Sequence, residues 1–134
     1  MLQLLPDHEI HATLVLIQGR GVLLSGPSGV GKSRLALELV QRGHQLVVDD
    51  APRLQRRQDR LYGHCPEDFI GLLHLPEQGL VDVRSSHSAQ AARRQCRVEL
   101  IASLSRGPCS AETSPISIYG LQLPCRQFRV SPEQ

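Results

Sequence analysis

The sequence predicts an α/β domain with a central mixed β-sheet and few helices. Three observations carry that prediction. An apolar run suited to a buried strand, Gly21 to Ser25 (GVLLS), enters a glycine-rich turn. The turn leads directly into Arg34 to Val40 (RLALELV), which has the apolar content of a packed helix. A second apolar, β-branched stretch then follows and breaks into Asp49 and Asp50. Aromatic residues make up only 3% of the chain and Trp is absent, so the core must be built from Leu, Val, Ile and Ala. At 134 residues the chain reads as one domain over 1–134, large enough to bury about two-thirds of its unfolded surface.

His11 to Gln18 (HATLVLIQ) is rich in strand formers and ends at Gly19-Arg20-Gly21, so it should form a hairpin with the strand that follows. The helix should stop near Arg42, because Gly43 stands where a left-handed cap residue is wanted. Gln45 to Asp50 should return parallel to the strand ahead of the turn, with its acidic end at the same edge as the loop. Arg53 to Gln58 and Arg60 to His64 suit a hairpin turning at Gln58-Asp59. Pro66 to Leu73 suggests a short helical turn, Gly79 to Val83 another buried strand, and Arg97 to Leu104 the clearest late strand. From Arg106 to Pro115 the composition is that of a loop. Ile116 to Tyr119 and Gln127 to Val130 suit edge strands, and Ser131 to Gln134 a frayed end. The chain contains no internal repeat.

The glycine-rich turn is also a chemical motif. Gly26-Pro-Ser-Gly-Val-Gly-Lys-Ser33 satisfies G-x-x-x-x-G-K-[ST] at every fixed position, with strand and helix on the required sides. Glycines at 26, 29 and 31 let successive backbone N–H groups turn inward and form an anion nest at the positive end of the helix. The nucleotide-binding set is therefore Gly26, Pro27, Ser28, Gly29, Val30, Gly31, Lys32 and Ser33, with Arg34 just beyond. Lys32 would reach the β/γ-phosphates, and the Ser33 hydroxyl would hold Mg²⁺. Of fifteen basic residues fourteen are Arg, and Lys32 is the sole Lys. Sheets of this class bind ligands outside the carboxyl ends of their strands, so Asp49 and Asp50 should face the nucleotide. Adjacent strand residues point to opposite faces, which gives one carboxylate to the metal side and the other to the acceptor.

Composition also excludes some classes. The net charge is +2 with Arg spread along the chain, and aromatic stacking platforms are scarce, which argues against nucleic acid as the main partner. The Arg53, Arg56, Arg57, Arg60 and Arg93, Arg94, Arg97 clusters read as solvated faces. Cys65, Cys96, Cys109 and Cys125 lack zinc or dithiol spacing and read as reduced thiols of a cytoplasmic protein. No window approaches membrane-spanning length, and Met1 to Leu5 is no signal peptide.

The order of these pieces resembles the catalytic domain of the HPr kinase/phosphorylase family, bacterial enzymes acting on a serine of the phosphocarrier HPr. The residues that carry the resemblance are His11, the Gly26–Ser33 loop and LALELVQRGHQLVVDD ending at Asp50. The match is close from His11 to Asp50 and looser to about Leu104. It is nearest to the short form that lacks the amino-terminal domain, and Gln134 falls short of the family's carboxy-terminal helices, which bind HPr and join subunits. The resemblance implies ATP and Mg²⁺ as cofactors, an HPr-like partner and room for a homo-oligomer. It further implies that Lys32 and Ser33 handle phosphates and Mg²⁺, that His11 lies close to the transferred phosphoryl group, and that one of Asp49 and Asp50 is the catalytic acid/base. Asp50 is assigned as base on the protein serine and Asp49 to the metal. Arg93 falls on a position that is basic in the family and is a candidate phosphate contact.

The chain departs from the family after residue 70. The family's E-I-R-G-L-G-I-I-D-V run is here His74-Leu-Pro-Glu-Gln-Gly-Leu-Val-Asp-Val83, so His74 replaces the acidic residue that arranges the metal. Pro76 replaces the arginine, and Glu77 is the nearest stand-in for the missing carboxylate. The leading expectation is a P-loop, HPr-kinase-like serine kinase. A nucleotide-binding regulatory module without transfer activity is the first alternative, and a small-molecule kinase or general hydrolase the second. The loop motif does not choose between ATP and GTP.

Overall fold

Residues 11–27, 29–107 and 114–130 are described in the structure, a computed structural model. The readings made for Met1 to Leu5, Ser28, Cys109, most of the late loop and the last four residues lie outside them. The chain opens with the expected hairpin, β1 (Thr13–Ile17) and β2 (Arg20–Ser25), paired from Thr13↔Leu24 to Ile17↔Arg20. Its two turn residues, Gln18 (φ 53°) and Gly19 (φ 81°), are both left-handed, which matches the strand twist across a two-residue turn. Helix α1 (Lys32–Gln41) follows the glycine-rich loop. It closes where expected: Gly43 (φ 96°) donates to the Val40 carbonyl at 3.0 Å and His44 to Leu39 at 2.9 Å, a Schellman pair of bonds.

The remaining strands of the main sheet are β3 (Gln45–Val48), β4 (Arg53–Arg57), β5 (Arg60–His64), β8 (Gln95–Ser105) and β11 (Cys125–Arg129). Their order is β3-β1-β2-β8-β5-β4, and β11 also pairs with β8. The eleven-residue β8 is the spine. Its middle, Val98 to Ser103, runs parallel beside β2, while its other edge is shared: β5 pairs antiparallel from Leu61↔Val98 to His64↔Gln95, and β11 pairs parallel from Cys125↔Ile101 to Arg129↔Ser105. Two small hairpins stand outside this sheet, β6 (Leu72–Leu75) with β7 (Gly79–Asp82) and β9 (Ile116–Ile118) with β10 (Leu121–Leu123). A four-residue helix, α2 (Val83–Ser86), follows β7.

Alternate residues of β1 and β2 feed two cores. Leu14, Leu16 and Leu23 face the β9–β10 hairpin with Ile118 and Leu123. Val15, Val22 and Leu24 face α1, where Ala36 and Val40 are buried. Both faces are thus covered, which is why TLVLI and GVLLS are continuous apolar runs rather than alternating ones. Each fully buried Leu or Val contributes about 1.5–3 kcal/mol relative to exposure.

One expectation holds with a different neighbour, and one needs correction. The strand ending in the Asp pair runs in the same direction as β2, as expected, without being its neighbour. It is hydrogen-bonded antiparallel to β1, which lies between them, and the parallel neighbour of β2 is β8. Gly79 to Val83 is not a buried strand of the sheet: β7 pairs only with β6, Leu80 is 65% exposed, and Val83 already belongs to α2. Strands β6 and β10 were not foreseen, because three- and four-residue strands carry almost no periodic signal.

Gly21 is required by close approach. A Cβ there would lie 1.9 Å from the Arg97 carbonyl oxygen on β8. Gly21→Ala should therefore destabilise the protein by about 3 kcal/mol or more, because backbone cannot yield as a side-chain tip can. Urea unfolding reads this directly, and an unchanged midpoint would contradict the β2–β8 spacing. Cys65, Cys96 and Cys125 are unpaired thiols, and burial pushes Cys65 up to about 11 and Cys96 to about 12. Such thiols stay protonated and unreactive near neutral pH. Among the described residues, no helix is long and apolar enough to cross a membrane.

Candidate active site

Strands β2 and β3 run in the same direction, so their carboxyl ends meet at one edge of the sheet, and the antiparallel β1 places its first residue, Thr13, between them. Asp49 gathers this edge together. Its carboxylate accepts hydrogen bonds from the Ser33 hydroxyl (2.8 and 3.0 Å), the Thr13 hydroxyl (2.9 Å) and the backbone N–H of His74 (2.9 Å). Thr13 is fully buried, and its oxygen also accepts from the Asp50 N–H at 3.4 Å. One hydroxyl therefore serves both carboxylate positions, as donor to the first and acceptor from the second.

The separation of the two carboxylates arises from irregular backbone. A register shift between Leu14 and Val15 against β3 places Val47 and Val48 in the same core. Asp50 follows with φ 64°, in the left-handed region that a non-glycine residue rarely occupies. Such conformations persist only where surrounding contacts over-determine them. As a result Asp49 is half-buried against α1, whereas Asp50 is exposed, with the His11 Nδ1 3.9 Å from its carboxylate. Both Asp residues line a cleft of about 380 Å³, walled by Arg53, Pro66, Leu72 and His74 and rimmed by the exposed Phe69 and Leu80.

The glycine-rich loop borders this cluster through Ser33. Lys32 Nζ donates to the carbonyls of Gly26 (2.8 Å) and Pro27 (3.4 Å) within its own loop. Gly26 packs so tightly on β8 that a Cβ would lie 2.7 Å from the Leu104 oxygen, and its φ of 151° suits glycine alone. Val30 donates to the Pro27 carbonyl at 3.1 Å, and Gly31 (φ 105°) leads into the first turn of α1. Arg106, just past β8, donates to the Gly29 carbonyl at 2.7 Å and braces the loop from outside.

Not every sequence-derived candidate joins the cluster. Arg34 forms an ion pair with Glu77 at 2.5 Å, which draws the β6–β7 turn to the start of α1. Glu77 is therefore engaged by Arg34, and it is the His74 backbone N–H that reaches Asp49 from this segment. Arg93 is exposed beside β3, where its N–H donates to the Leu46 carbonyl at 2.9 Å. Thr13, His74 as a backbone donor and Arg106 were missed. The one available signal was a Thr opening an otherwise aliphatic strand.

A model of the HPr Serine kinase C-terminal domain matches residues 2–120, most of the chain and all of the elements that build this edge. The chain belongs to the HPr serine kinase C-terminal domain family. Similar relatives include the HPr kinase/phosphorylase of Bordetella pertussis, 43% identical over 105 residues (78% of this chain and 34% of the relative), and that of Bacillus subtilis, 45% identical over 103 residues (76% and 33%). The chain thus spans about a third of the length of the curated relatives it matches. The solved structure of the Hpr(Ser) kinase/phosphatase from Coxiella burnetii aligns with a TM-score of 0.84 at 32% identity, covering 92% of this chain and 80% of that one. The mixed sheet and small number of helices are therefore those of an HPr kinase domain.

Proposed function

We propose that the chain is an ATP- and Mg²⁺-dependent serine kinase domain acting on an HPr-like carrier. The observation that carries this reading is the direct bond between Ser33 and Asp49, beside a loop bearing Lys32 and next to a second carboxylate open to a cleft. The residues fit Mg²⁺: a hydroxyl and a carboxylate oxygen already meet, and this ion takes few protein ligands, leaving the rest to phosphate and water. When bound, Mg²⁺ would neutralise charge on the phosphates. Loop N–H groups and Lys32 would hold the nucleotide's phosphates, and Asp50 would accept the proton of the acceptor serine. As the serine oxygen bonds to the γ-phosphorus, the bond to the β–γ bridging oxygen breaks and ADP leaves. His11, whose Nδ1 lies 3.9 Å from the Asp50 carboxylate, would orient that carboxylate or the phosphoryl oxygens.

The decisive assay supplies labelled ATP, Mg²⁺ and an HPr-type carrier. Transfer by the natural protein that falls by about 10²-fold or more in Asp50→Asn, with nucleotide affinity kept, is expected. Nucleotide binding without transfer to the carrier would instead support the regulatory reading, which the replacement of the family's acidic residue by His74 favours.

A further inference from the structure

We propose that the outer face of β4, β5 and the first half of β8 docks an acidic stretch of the acceptor protein; this rests on the protein-kinase reading above. Residues directly opposite one another across a sheet point to the same side. The pairs Arg53↔His64, Gln55↔Tyr62, Arg57↔Arg60 and Tyr62↔Arg97 therefore share one face. Its opposite side carries Leu54, Leu61 and Val98, which are buried in the core. Helix α1 packs over the β1 and β3 half of the sheet and leaves this end uncovered. Arg53, Arg57, Arg60 and Arg97 are all exposed there.

The face is poor in compensating charge. The carboxylates nearest in sequence to Arg57, Arg60 and Arg97 are Asp59 in the hairpin turn and Glu99 on β8, and Asp49 and Asp50 lie only at the Arg53 end. The ion pairs among the described residues involve none of Arg57, Arg60 and Arg97. Such a face attracts an anionic partner and steers its approach. Continuity with the cleft indicates which partner, because Arg53 belongs both to this face and to the wall that holds Asp49 and Asp50. A chain lying along the face would meet the cleft at Arg53. An acidic protein segment fits better than a single-stranded nucleic acid, because the one Phe, Tyr or Trp on this face, Tyr62, has the Arg57 guanidinium over its ring at 4.7 Å, where a base would stack.

Fluorescence anisotropy of the full chain tests this with three probes: a Glu-rich peptide containing one serine, a Lys-rich peptide of the same length, and a single-stranded RNA of equal negative charge. The Glu-rich peptide should bind, weakening as salt rises, and Arg57→Glu/Arg60→Glu/Arg97→Glu should weaken it about tenfold or more. Nucleotide affinity should not change, which shows that the variant is folded. If the peptide serine is phosphorylated, its KM should rise in the variant with kcat kept. Peptide binding without transfer would leave the docking face standing, while loss of transfer to the HPr-type carrier is what would sink the kinase reading. Equal binding by natural and variant proteins, no peptide binding at normal nucleotide affinity, or tighter binding of the RNA would each overturn the proposal.

Discussion

Replacing Lys32 with Ala should weaken nucleotide binding roughly 10- to 100-fold, which corresponds to losing a charged hydrogen-bond donor worth about 1.5–3 kcal/mol. The other cation on the loop, Arg106, is engaged by the Gly29 carbonyl. The chain contains no other Lys, and Arg34, one residue on, is held by Glu77. Lys32 donates at present to the Gly26 and Pro27 carbonyls, which are weak, partly solvated partners. Exchanging a carbonyl for a phosphate oxygen therefore costs little, and the ammonium is free to turn to the nucleotide. Fold stability should barely change, because the lost bonds are within the loop. Calorimetric titration with ATP and Mg²⁺, alongside thermal unfolding, separates the two effects. Equal affinity in the variant would mean that the loop does not bind phosphate in the way proposed.

Asp49→Asn is the second large effect and should act differently. The carboxylate accepts from Ser33, Thr13 and His74 together, and an amide offers one acceptor oxygen and two donors in its place. The hydroxyls of Ser33 and Thr13 can reorient, but the His74 N–H cannot, and Thr13 is fully buried. A destabilisation of about 1–3 kcal/mol is expected from the mismatched donor. Transfer should fall by about 10²-fold or more, with a raised Mg²⁺ requirement, because on the proposed reading Asp49 supplies a charged oxygen ligand to the metal. Activity measured across a Mg²⁺ series checks this. A variant with full activity at low Mg²⁺ would remove Asp49 from the metal site, while Asp50→Asn should leave the Mg²⁺ requirement alone. The two variants together separate the two carboxylates' roles.

The mismatches between sequence and structure have a common physical cause. Local chemistry settled the loop, α1 and its end, since Gly43 supplies a left-handed residue wherever that helix is packed. It also settled the Gln58-Asp59 hairpin. Pairing partners were not legible in this way. The β-branched run at Gln45 to Val48 is equally suited to a place beside β2 or beside β1, and the choice depends on which edge β8 occupies. The β6–β7 segment contains apolar residues at strand spacing, but one of them, Leu80, faces the cleft rim rather than a core. Exposed apolar residues near a site look like core residues when only hydrophobicity is read.

From its sequence alone this protein was already committed to an α/β domain with a Gly-rich loop between strand and helix, and to a carboxylate pair at the end of a returning strand. These follow from short-range steric and hydrophobic rules that act within a few residues. Tertiary structure decided which carboxylate meets Ser33. It brought in Thr13, the His74 backbone and Arg106, and it tied Glu77 to Arg34. Those contacts join residues from 16 to 77 positions apart, and such choices depend on register, a bulge and one left-handed residue at Asp50. No periodicity in the chain encodes them, because each is the outcome of packing two faces of one sheet at once.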